Sequence, residues 1–346
     1  MQKHIHGGDI YSRTYKMDFS ANINPLGMPE SAVNAAIEGV RMSQNYPDVN
    51  CRRLKQAISE AESVPEEWII CGNGAAELIF ALVMAVRPKK ALLITPGFAE
   101  YEQALAAAGC EIQFYECLPE NEFVPQSDFL KNIHENIEMI FVCNPNNPTG
   151  TVFPQRLLEE TIKICHEKKI LLVLDECFNS FLLQGKEISM TRALHEIPEL
   201  FILKAFTKLY AMAGLRLGYG LSQNSELLKQ ILEVLQPWNV SIPAQMAGVA
   251  ALQEKEFAEK TLEYIAKERT FLKQEFQKVG IRYYDSQANF IFFEGPENLE
   301  EQCREHGILI RDCSNYRGLQ RGYYRIAVRS REENQELLQV LKLIMK

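Results

Sequence analysis

Short, almost entirely apolar segments alternate with longer amphipathic segments over the first two thirds of the chain. Four of the apolar segments are "ALLIT" (91–95), "MIFVCN" (139–144), "ILLVLDE" (170–176) and "LFILKAFT" (200–207). Helical periodicity lies between most of them, as in residues 75–86 and 153–169. Strands that are apolar along their whole length are typical of parallel sheets, because helices cover both faces. The pattern therefore predicts an α/β fold with a mainly parallel sheet, in a large domain spanning residues 31–252.

The pattern of apolar and polar residues changes at about residue 253. A long, charged, amphipathic helix (254–279) is predicted first, and a final helix (331–345) closes the chain. Four strand-like segments lie between them: "IRYYDS", "NFIFFEG", "ILIRDC" and "YYRIAVR". This pattern predicts a smaller α+β domain over residues 253–346. The first 30 residues are loop-like and rich in Gly, Asn and Pro, and we expect them to form an arm that packs on the active site.

The overall charge and composition argue against several classes of function. The chain has 346 residues and a formal net charge of −8, which disfavours binding to nucleic acid or to anionic membranes. No apolar segment approaches the roughly 20 residues that span a bilayer, and the N-terminus lacks the apolar region of a signal peptide. The nine cysteines show no CxxC pairing. They are therefore interpreted as reduced thiols of a cytoplasmic protein that has no metal site.

Four polar motifs follow predicted strands. They are "CGNGAAEL" (71–78), "NPNNPTG" (144–150), "DECF" (175–178) and "TK" (207–208). In open α/β sheets, ligands bind beyond the carboxyl ends of the strands, so these motifs are expected to meet at one edge. Each motif alone has an ordinary explanation: a helix start, a turn, a helix cap and a solvated lysine. Their coincidence at one sheet edge favours a binding site.

The combination of a lysine, a carboxylate and a helix start matches the chemical needs of pyridoxal phosphate. A lysine such as Lys208 forms a Schiff base with an aldehyde, and a carboxylate such as Asp175 keeps a pyridine nitrogen protonated. The backbone N–H groups of a helix start bind phosphate, and Arg216 is placed to join them. The motif "GNG" lacks the spacing of a Walker loop or a GxGxxG fingerprint, so a nucleotide-binding Rossmann protein is the weaker alternative.

The order of these motifs resembles that of the fold-type I pyridoxal-phosphate enzymes, the aspartate aminotransferase superfamily. The phrases "NPNNPTG", "DE-F" and "TK-----GLRLGY" carry the resemblance. It implies a large domain with a mainly parallel, seven-stranded type of sheet, followed by a smaller α+β domain. The implied contacts are Lys208 and Asp175 for catalysis, Asn147 and Phe98 on the cofactor ring, and Thr207 and Arg216 beside Gly74, Ala75 and Ala76 on its phosphate.

The resemblance also implies a homodimer with shared active sites, and the chain departs from the family pattern at two positions. Tyr46 in "NYPD" resembles the tyrosine that reaches the phosphate of the neighbouring subunit's cofactor. The position three after Asp175 is Phe178, where these aminotransferases usually have Tyr, so a hydroxyl beside the cofactor's phenolic oxygen is missing. The position three before Lys208 is Ala205, which is often a phosphate-binding Ser or Thr.

Two arginines of the predicted small domain are candidates for holding the substrate. A guanidinium suits a carboxylate or a phosphate, although an arginine on a strand is also often part of a surface ion pair. By the resemblance, Arg325 and Asn22 would hold the substrate carboxylate, while Arg311 and His6 would receive a second anionic group. Two anion sites imply a small phosphorylated amino-acid substrate.

Within the superfamily, the chain resembles the threonine-phosphate decarboxylases of cobalamin biosynthesis nearly from end to end. The markers are "HGGD" near the start (more often HGGN), "DFSANINPLGMP", "TPGFAEYEQALA", Phe178, "PWNV" and "CSNYRGL". They imply decarboxylation of L-threonine O-3-phosphate to (R)-1-aminopropan-2-ol O-2-phosphate. Histidinol-phosphate aminotransferases share "NPNNPTG" and "GLRLGY", so that activity is the main alternative. A non-catalytic pyridoxal-phosphate module of a transcription regulator is a weaker one.

Overall fold

The computed structural model describes residues 6–12 and 14–345, without the side chain of residue 186. The strands are β1 (Met17–Asp18), β2 (Ile69–Gly72), β3 (Lys90–Thr95), β4 (Glu111–Glu116), β5 (Met139–Cys143), β6 (Leu171–Asp175), β7 (Leu200–Ala205), β8 (Gly218–Leu221), β9 (Phe290–Glu294), β10 (Ile308–Leu309), β11 (Arg311–Asp312) and β12 (Tyr323–Ala327). The helices are α1 (Glu30–Arg41), α2 (Arg52–Glu62), α3 (Ala75–Val86), α4 (Ala99–Ala107), α5 (Gln155–Lys168), α6 (Gly185–Ile188), α7 (Ser225–Val234), α8 (Ile242–Gln253), α9 (Lys255–Val279), α10 (Leu299–Glu305) and α11 (Arg331–Ile344). Within the described ranges, no helix has the length and apolar character needed to cross a membrane.

Seven strands form the main sheet in the order β2-β8-β7-β6-β5-β3-β4. Strands β3 to β7 run parallel to one another, and β8 is antiparallel to both β2 and β7. Parallel neighbours need crossover connections, and helix α4 supplies one between β3 and β4 while helix α5 supplies another between β5 and β6. This arrangement confirms the predicted α/β fold with a mainly parallel sheet.

Both faces of the main sheet are buried, which explains why its strands are apolar at nearly every position. Ile140 and Val142 of β5 face a core that is shared with α2, α5 and α8. Met139 and Phe141 of the same strand face a core that is shared with α3, α4 and α7. Successive side chains of a strand point to opposite faces, so one apolar segment supplies both cores. Close packing on both sides holds the ends of these strands in register with one another.

A second, three-stranded antiparallel sheet has the order β11-β12-β9, and we call it the small sheet. Its core is shared with helices α9 and α11 and contains Phe276, Phe293 and Leu337. Helix α11 begins at a capping box, in which Ser330 and Glu333 each accept a hydrogen bond from the backbone N–H of the other. The periodicity of the sequence predicted α9 and α11 to within one residue at each end.

Two of the predicted strands differ from the observed ones. The segment "ILIRDC" is divided between β10, which pairs with β1, and β11, which pairs with β12. The strand predicted over residues 281–286 is wrong, since Tyr283 forms only an isolated bridge with Phe293. The backbone N–H of Ser286 donates to the carbonyl of Tyr284 at 2.7 Å, and this tight turn ends the pairing.

The segment that precedes α1 is attached beside the small sheet. Strand β1 pairs in parallel with β10, and Phe19 is buried in the same core as Phe276. Residues 1–5 and 13 of the predicted arm lie outside the described residues. The division of the chain at residues 30 and 252 stays a prediction.

Candidate active site

The start of helix α3 forms an anion-binding corner at the edge of the main sheet. Strand β2 ends at Gly72, and Gly74 leads into the helix with φ of +83°, in the left-handed region that favours glycine. Among the described residues, no side chain is seen to cap the start of the helix, which begins with Ala75 and Ala76. The guanidinium of Arg216 lies against this corner, because a Cβ atom on Gly74 would be 2.5 Å from its Nη2 atom. Helix N–H groups and a cation therefore converge here, as a phosphate requires.

Asp175 is the last residue of β6 and is only 5% exposed. Each of its carboxylate oxygens accepts one hydrogen bond from the protein. The Tyr101 hydroxyl donates to Oδ2 at 2.6 Å, and the backbone N–H of Cys177 donates to Oδ1 at 2.9 Å. These donors compensate for the burial of the charge. A carboxylate oxygen can accept more than one bond, so the group can still receive a proton donor from a ligand.

Lys208 lies in the loop after β7, within electrostatic range of Asp175 and of two arginines. Burial, reinforced by the charges of Arg325 and Arg216, lowers the pKa of its amine to about 8, although the charge of Asp175 acts in the opposite direction. The Nζ atom lies 5.5 Å from the centre of the Phe178 ring. More of this amine is therefore neutral at physiological pH than in an exposed lysine, and attack on a carbonyl requires the neutral form.

Phe98 and Asn147 enter the site from the loops after β3 and β5. The Phe98 ring meets the Tyr101 ring edge-on, with 5.5 Å between their centres, so it lies near the carboxylate to which Tyr101 donates. Asn147 is buried, and its Oδ1 atom accepts a hydrogen bond from Nη1 of Arg325. The hydroxyl of Tyr316 lies 3.5 Å from the same oxygen. Asn147 therefore connects the edge of the main sheet with the small sheet.

Arg311 of β11 and Arg325 of β12 lie directly opposite each other in the antiparallel pair. Both side chains belong to buried residues, with exposed fractions of 5% and 6%. Arg311 donates from Nη2 to Oδ1 of Asn315 at 2.7 Å, and its guanidinium lies 5.2 Å from the centre of the Tyr316 ring. These contacts hold the flat guanidinium in one orientation, as bidentate recognition of an anion requires.

Arg325 and Asn22 carry buried polar atoms that lack partners among the described residues. Arg325 donates to Asn147 and, at 3.0 Å, to the backbone carbonyl of Ser20, but its Nε atom is without an acceptor. Asn22 follows Ser20 by two residues, and its Oδ1 atom is without a donor. Buried polar groups are normally paired, so an unpaired donor and an unpaired acceptor in one region indicate a place for a ligand.

His6 lies beside the start of helix α4. It is exposed, and its Nδ1 atom lies 3.4 Å from Oε1 of Glu100 at the start of α4. Burial raises the pKa of Tyr316, and the charge of Glu100 contributes in the same direction. A contact between His6 and a substrate phosphate stays a prediction.

Thr207 and Tyr46 are two further residues of the predicted site. Thr207 precedes Lys208 in the chain and is partly exposed, and its contact with a phosphate stays a prediction. Tyr46 lies on the surface with 78% of its area exposed, and its ring stacks on Trp238 with 4.5 Å between their centres. The role predicted for Tyr46 requires a second subunit.

The residues that contact the site but were not predicted individually from the sequence include Tyr101, Asn315 and Tyr316. Tyr101 follows Phe98 by three residues, and this spacing of one helical turn is the signal that could have found it. Asn315 and Tyr316 lie in the family marker "CSNYRGL", but only the pairing of β11 with β12 reveals that they contact Arg311.

The assembled groups fit pyridoxal phosphate. The corner at α3 and Arg216 suits its phosphate, Asp175 suits its ring nitrogen, and Lys208 is the amine that its aldehyde needs. Among the described residues, the Nε atom of Arg325 and the Oδ1 atom of Asn22 have no partner. Within residues 6–12 and 14–345, no group of three or more His, Cys, Asp or Glu side chains could hold a metal ion.

Comparison with known proteins places the chain in a family. The family model described as aminotransferase class I and II matches residues 14–341. A threonine-phosphate decarboxylase of Salmonella typhimurium is 35% identical, over 98% of this chain and 96% of the relative. A histidinol-phosphate aminotransferase of Methanosphaera stadtmanae is 28% identical, over 94% of this chain and 89% of the relative.

A solved structure supports the same assignment. The crystal structure of the histidinol-phosphate aminotransferase from Clostridium acetobutylicum matches with a TM-score of 0.89 and 32% identity, covering 95% of this chain and 99% of that chain. The family model spans every predicted site residue except His6. The predicted resemblance to the aspartate aminotransferase superfamily is thereby confirmed. The chain belongs to the aminotransferase class I and II family and is a pyridoxal-phosphate-dependent enzyme of fold type I.

Proposed function

We propose that this enzyme decarboxylates L-threonine O-3-phosphate to (R)-1-aminopropan-2-ol O-2-phosphate, a step of cobalamin biosynthesis. The observation that carries the proposal is the pair of buried arginines, Arg311 and Arg325, placed opposite each other on the small sheet. Two guanidinium groups side by side suit a substrate with two anionic groups, here a carboxylate and a phosphate. The name of the Salmonella typhimurium relative and the family markers of the sequence support the same substrate.

The residues of the site have distinct tasks in the proposed reaction. When bound, pyridoxal phosphate supplies an electron sink for the electron pair that the departing CO2 leaves at Cα. Asp175 holds the proton on the ring nitrogen, and the corner at α3 with Arg216 anchors the phosphate end. Lys208 carries the cofactor between turnovers and then returns a proton to Cα from its Nζ atom. Its lowered pKa, about 8, suits an amine that must both take up and release a proton near neutral pH.

One physical difficulty concerns Arg325. An arginine that binds a carboxylate stabilises the anion and so opposes the loss of CO2. The proposal therefore requires that Arg311 and His6 bind the substrate phosphate and turn the bond between Cα and the carboxylate out of the ring plane. If the variants Arg311→Ala and His6→Ala both kept the turnover and the choice of reaction, this part of the proposal would be wrong.

Histidinol-phosphate aminotransferase is the second candidate function. Its support is the relative in Methanosphaera stadtmanae and the similarity to the Clostridium acetobutylicum structure. The two reactions differ in a requirement that can be measured. An aminotransferase needs a keto acid to complete its cycle, whereas a decarboxylase does not.

The deciding experiment measures CO2 released from L-threonine O-3-phosphate by the purified protein loaded with pyridoxal phosphate, with 2-oxoglutarate omitted. Multiple turnovers per site are expected. L-Threonine serves as the matched control substrate, since it lacks only the phosphate that Arg311 would bind. Absence of CO2, together with glutamate formation from histidinol phosphate and 2-oxoglutarate, would contradict the decarboxylase proposal and establish the aminotransferase.

A homodimer with shared active sites belongs to the same proposal. Tyr46 and Trp238 form an exposed aromatic pair, and Ile37 and Val40 of α1 are also exposed. The test is complementation between inactive chains. Lys208→Met chains mixed with Tyr46→Ala chains should regain activity, because a mixed dimer contains one site in which both residues are intact. Lack of recovery after subunit exchange has been demonstrated would argue against a shared site.

A further inference from the structure

The Tyr101 hydroxyl makes a short, buried contact with the carboxylate at the centre of the site. Tyr101 is 4% exposed, and its hydroxyl donates to Oδ2 of Asp175 at 2.6 Å. Burial and the charge of Asp175 raise the pKa of Tyr101 well above its ordinary value, so the hydroxyl keeps its proton and acts as a donor. A hydrogen bond to a charged group is among the stronger interactions available in a protein interior.

The Tyr101 ring is held in place by two aromatic neighbours. It stacks on Phe141 of β5, with 4.7 Å between ring centres and 18° between ring planes. It meets Phe98 edge-on at 5.5 Å. The hydroxyl is therefore fixed by the packing of β5 and α4 and not by Asp175 alone. A rigid donor can impose an orientation on its acceptor, whereas a mobile donor would follow it.

We infer that Tyr101 is a positioning residue for Asp175. Its hydroxyl fixes the plane of the carboxylate and, by donating a hydrogen bond, partly neutralises the negative charge of Oδ2. The backbone N–H of Cys177 restrains the other oxygen at 2.9 Å, so the two donors together define the direction in which the carboxylate faces a pyridine nitrogen. Without the hydroxyl, more negative charge would remain on the carboxylate, and nearby protonated groups of the bound cofactor would be stabilised.

The other titratable groups around Asp175 belong to the adjoining elements. Burial raises the pKa of the Cys143 thiol at the end of β5 and of the Cys177 thiol after β6, so both remain neutral. The charged groups nearby are Lys208, which is the amine proposed to bind the cofactor, and the guanidinium groups of Arg216 and Arg325. The Tyr101 hydroxyl also interacts with the Cys143 thiol, but that thiol is neutral, so a change in charge at the site follows from the lost bond with Asp175.

The test compares Tyr101→Phe with Tyr115→Phe in protein loaded with pyridoxal phosphate and without substrate. Tyr115 is the matched control, because its hydroxyl also donates to a carboxylate, Oδ1 of Asp128, at 2.6 Å, but lies outside the site. The measurement is a pH titration of the visible absorption band of the lysine-bound cofactor. In Tyr101→Phe the midpoint should move upward by about half a pH unit or more. In Tyr115→Phe it should stay at the wild-type value.

Kinetic and binding measurements complete the test. In Tyr101→Phe, kcat should fall about tenfold and KM should change less than about twofold, because the lost bond acts on the cofactor and not on the substrate. Thermal unfolding of the cofactor-free variants measures any loss of fold in each. A titration midpoint equal to that of the wild type, in a folded Tyr101→Phe protein, would overturn the inference. The titration needs no substrate, so its result is independent of whether the enzyme is a decarboxylase or an aminotransferase.

Discussion

At the edge of the main sheet, both oxygens of Asp175 have donors, whereas on the small sheet the buried Nε atom of Arg325 has no acceptor among the described residues. The carboxylate of Asp175 thus has its donors within the chain. The second region has polar atoms that a ligand must satisfy. In the proposed function, Asp175 at the cofactor end is oriented before the cofactor binds, and Arg325 at the substrate end is completed by the substrate. This difference predicts that substitutions at the two ends will have different kinetic signatures.

The largest effect is expected at the cofactor end. Lys208→Met removes the amine but keeps much of the volume of the side chain, and turnover should fall by at least about a thousandfold. The measurement is activity combined with the mass of the protein after borohydride reduction. Wild-type protein should retain covalently bound cofactor and the variant should not. Activity within about tenfold of the wild type would mean that Lys208 is not the cofactor-bonding residue.

A smaller effect is expected from the substrate end. Arg325→Met should lower kcat/KM about a hundredfold, since it removes the buried donor that faces the ligand. Arg311→Met should raise KM for the phosphorylated substrate by about tenfold or more and should also lower turnover, because the phosphate would no longer orient the bond between Cα and the carboxylate. Steady-state kinetics with both variants separate the two arginines. Equal effects on KM and kcat in both variants would contradict the division of labour between carboxylate and phosphate.

Arg329→Met is the matched control for these arginine variants. Arg329 lies four residues after Arg325, and its guanidinium pairs with Glu333 at 2.8 Å in a partly exposed position. Such pairs contribute little to stability, and kcat/KM should stay within about twofold of the wild type. A large loss in Arg329→Met would mean that the effect of removing a cation here is general and not specific to the site.

The pH dependence of stability gives a third, smaller effect at the cofactor end. The folded protein lowers the pKa of Lys208 from 10.5 to about 8, so the unfolded chain binds this proton more tightly than the folded chain does. The resulting loss of stability is complete below about pH 8. Without cofactor, Lys208→Met should therefore be more stable than the wild type at pH 7 by about 1–3 kcal/mol. The difference should shrink as the pH rises from about 8 towards 10.5. Denaturant unfolding at several pH values measures it, and a difference that is constant with pH would contradict the lowered pKa.

The smallest effect is expected where the loop after β11 contacts helix α4 and strand β4. Arg317 pairs with Glu102 of α4 and lies over the Phe114 ring, 4.1 Å from its centre, but both partners of the ion pair are partly exposed. Arg317→Gln should cost about 1 kcal/mol or less and leave kcat within about twofold of the wild type. A double-mutant cycle with Glu102→Gln measures the coupling. A loss of kcat as large as that of Arg325→Met would show that this loop helps to form the site.

Most residues of the cofactor end could be predicted because their motifs are contiguous and lie at strand ends. The local signals are the apolar strands, the Gly turn before α3, Asp175 at the end of its strand and Lys208 shortly after its strand. Parallel strands bring their carboxyl ends to one edge, so local position is enough to predict that these groups meet. Tyr101 was not predicted as a site residue, because its hydroxyl reaches Asp175 from a different element and because a buried tyrosine in a helix is usually part of a core.

The substrate end depends on contacts between distant parts of the chain. The sequence by itself determined the fold class, the cofactor motifs and the presence of arginines in the C-terminal strands. Only the tertiary structure decided that β11 leaves the segment of β10 to pair with β12, which sets Arg311 opposite Arg325. It likewise decided that Ser20 and Asn147, far apart in sequence, both accept from Arg325. Strand register and long-range hydrogen bonds depend on the whole packed core, and no local pattern of residues encodes them.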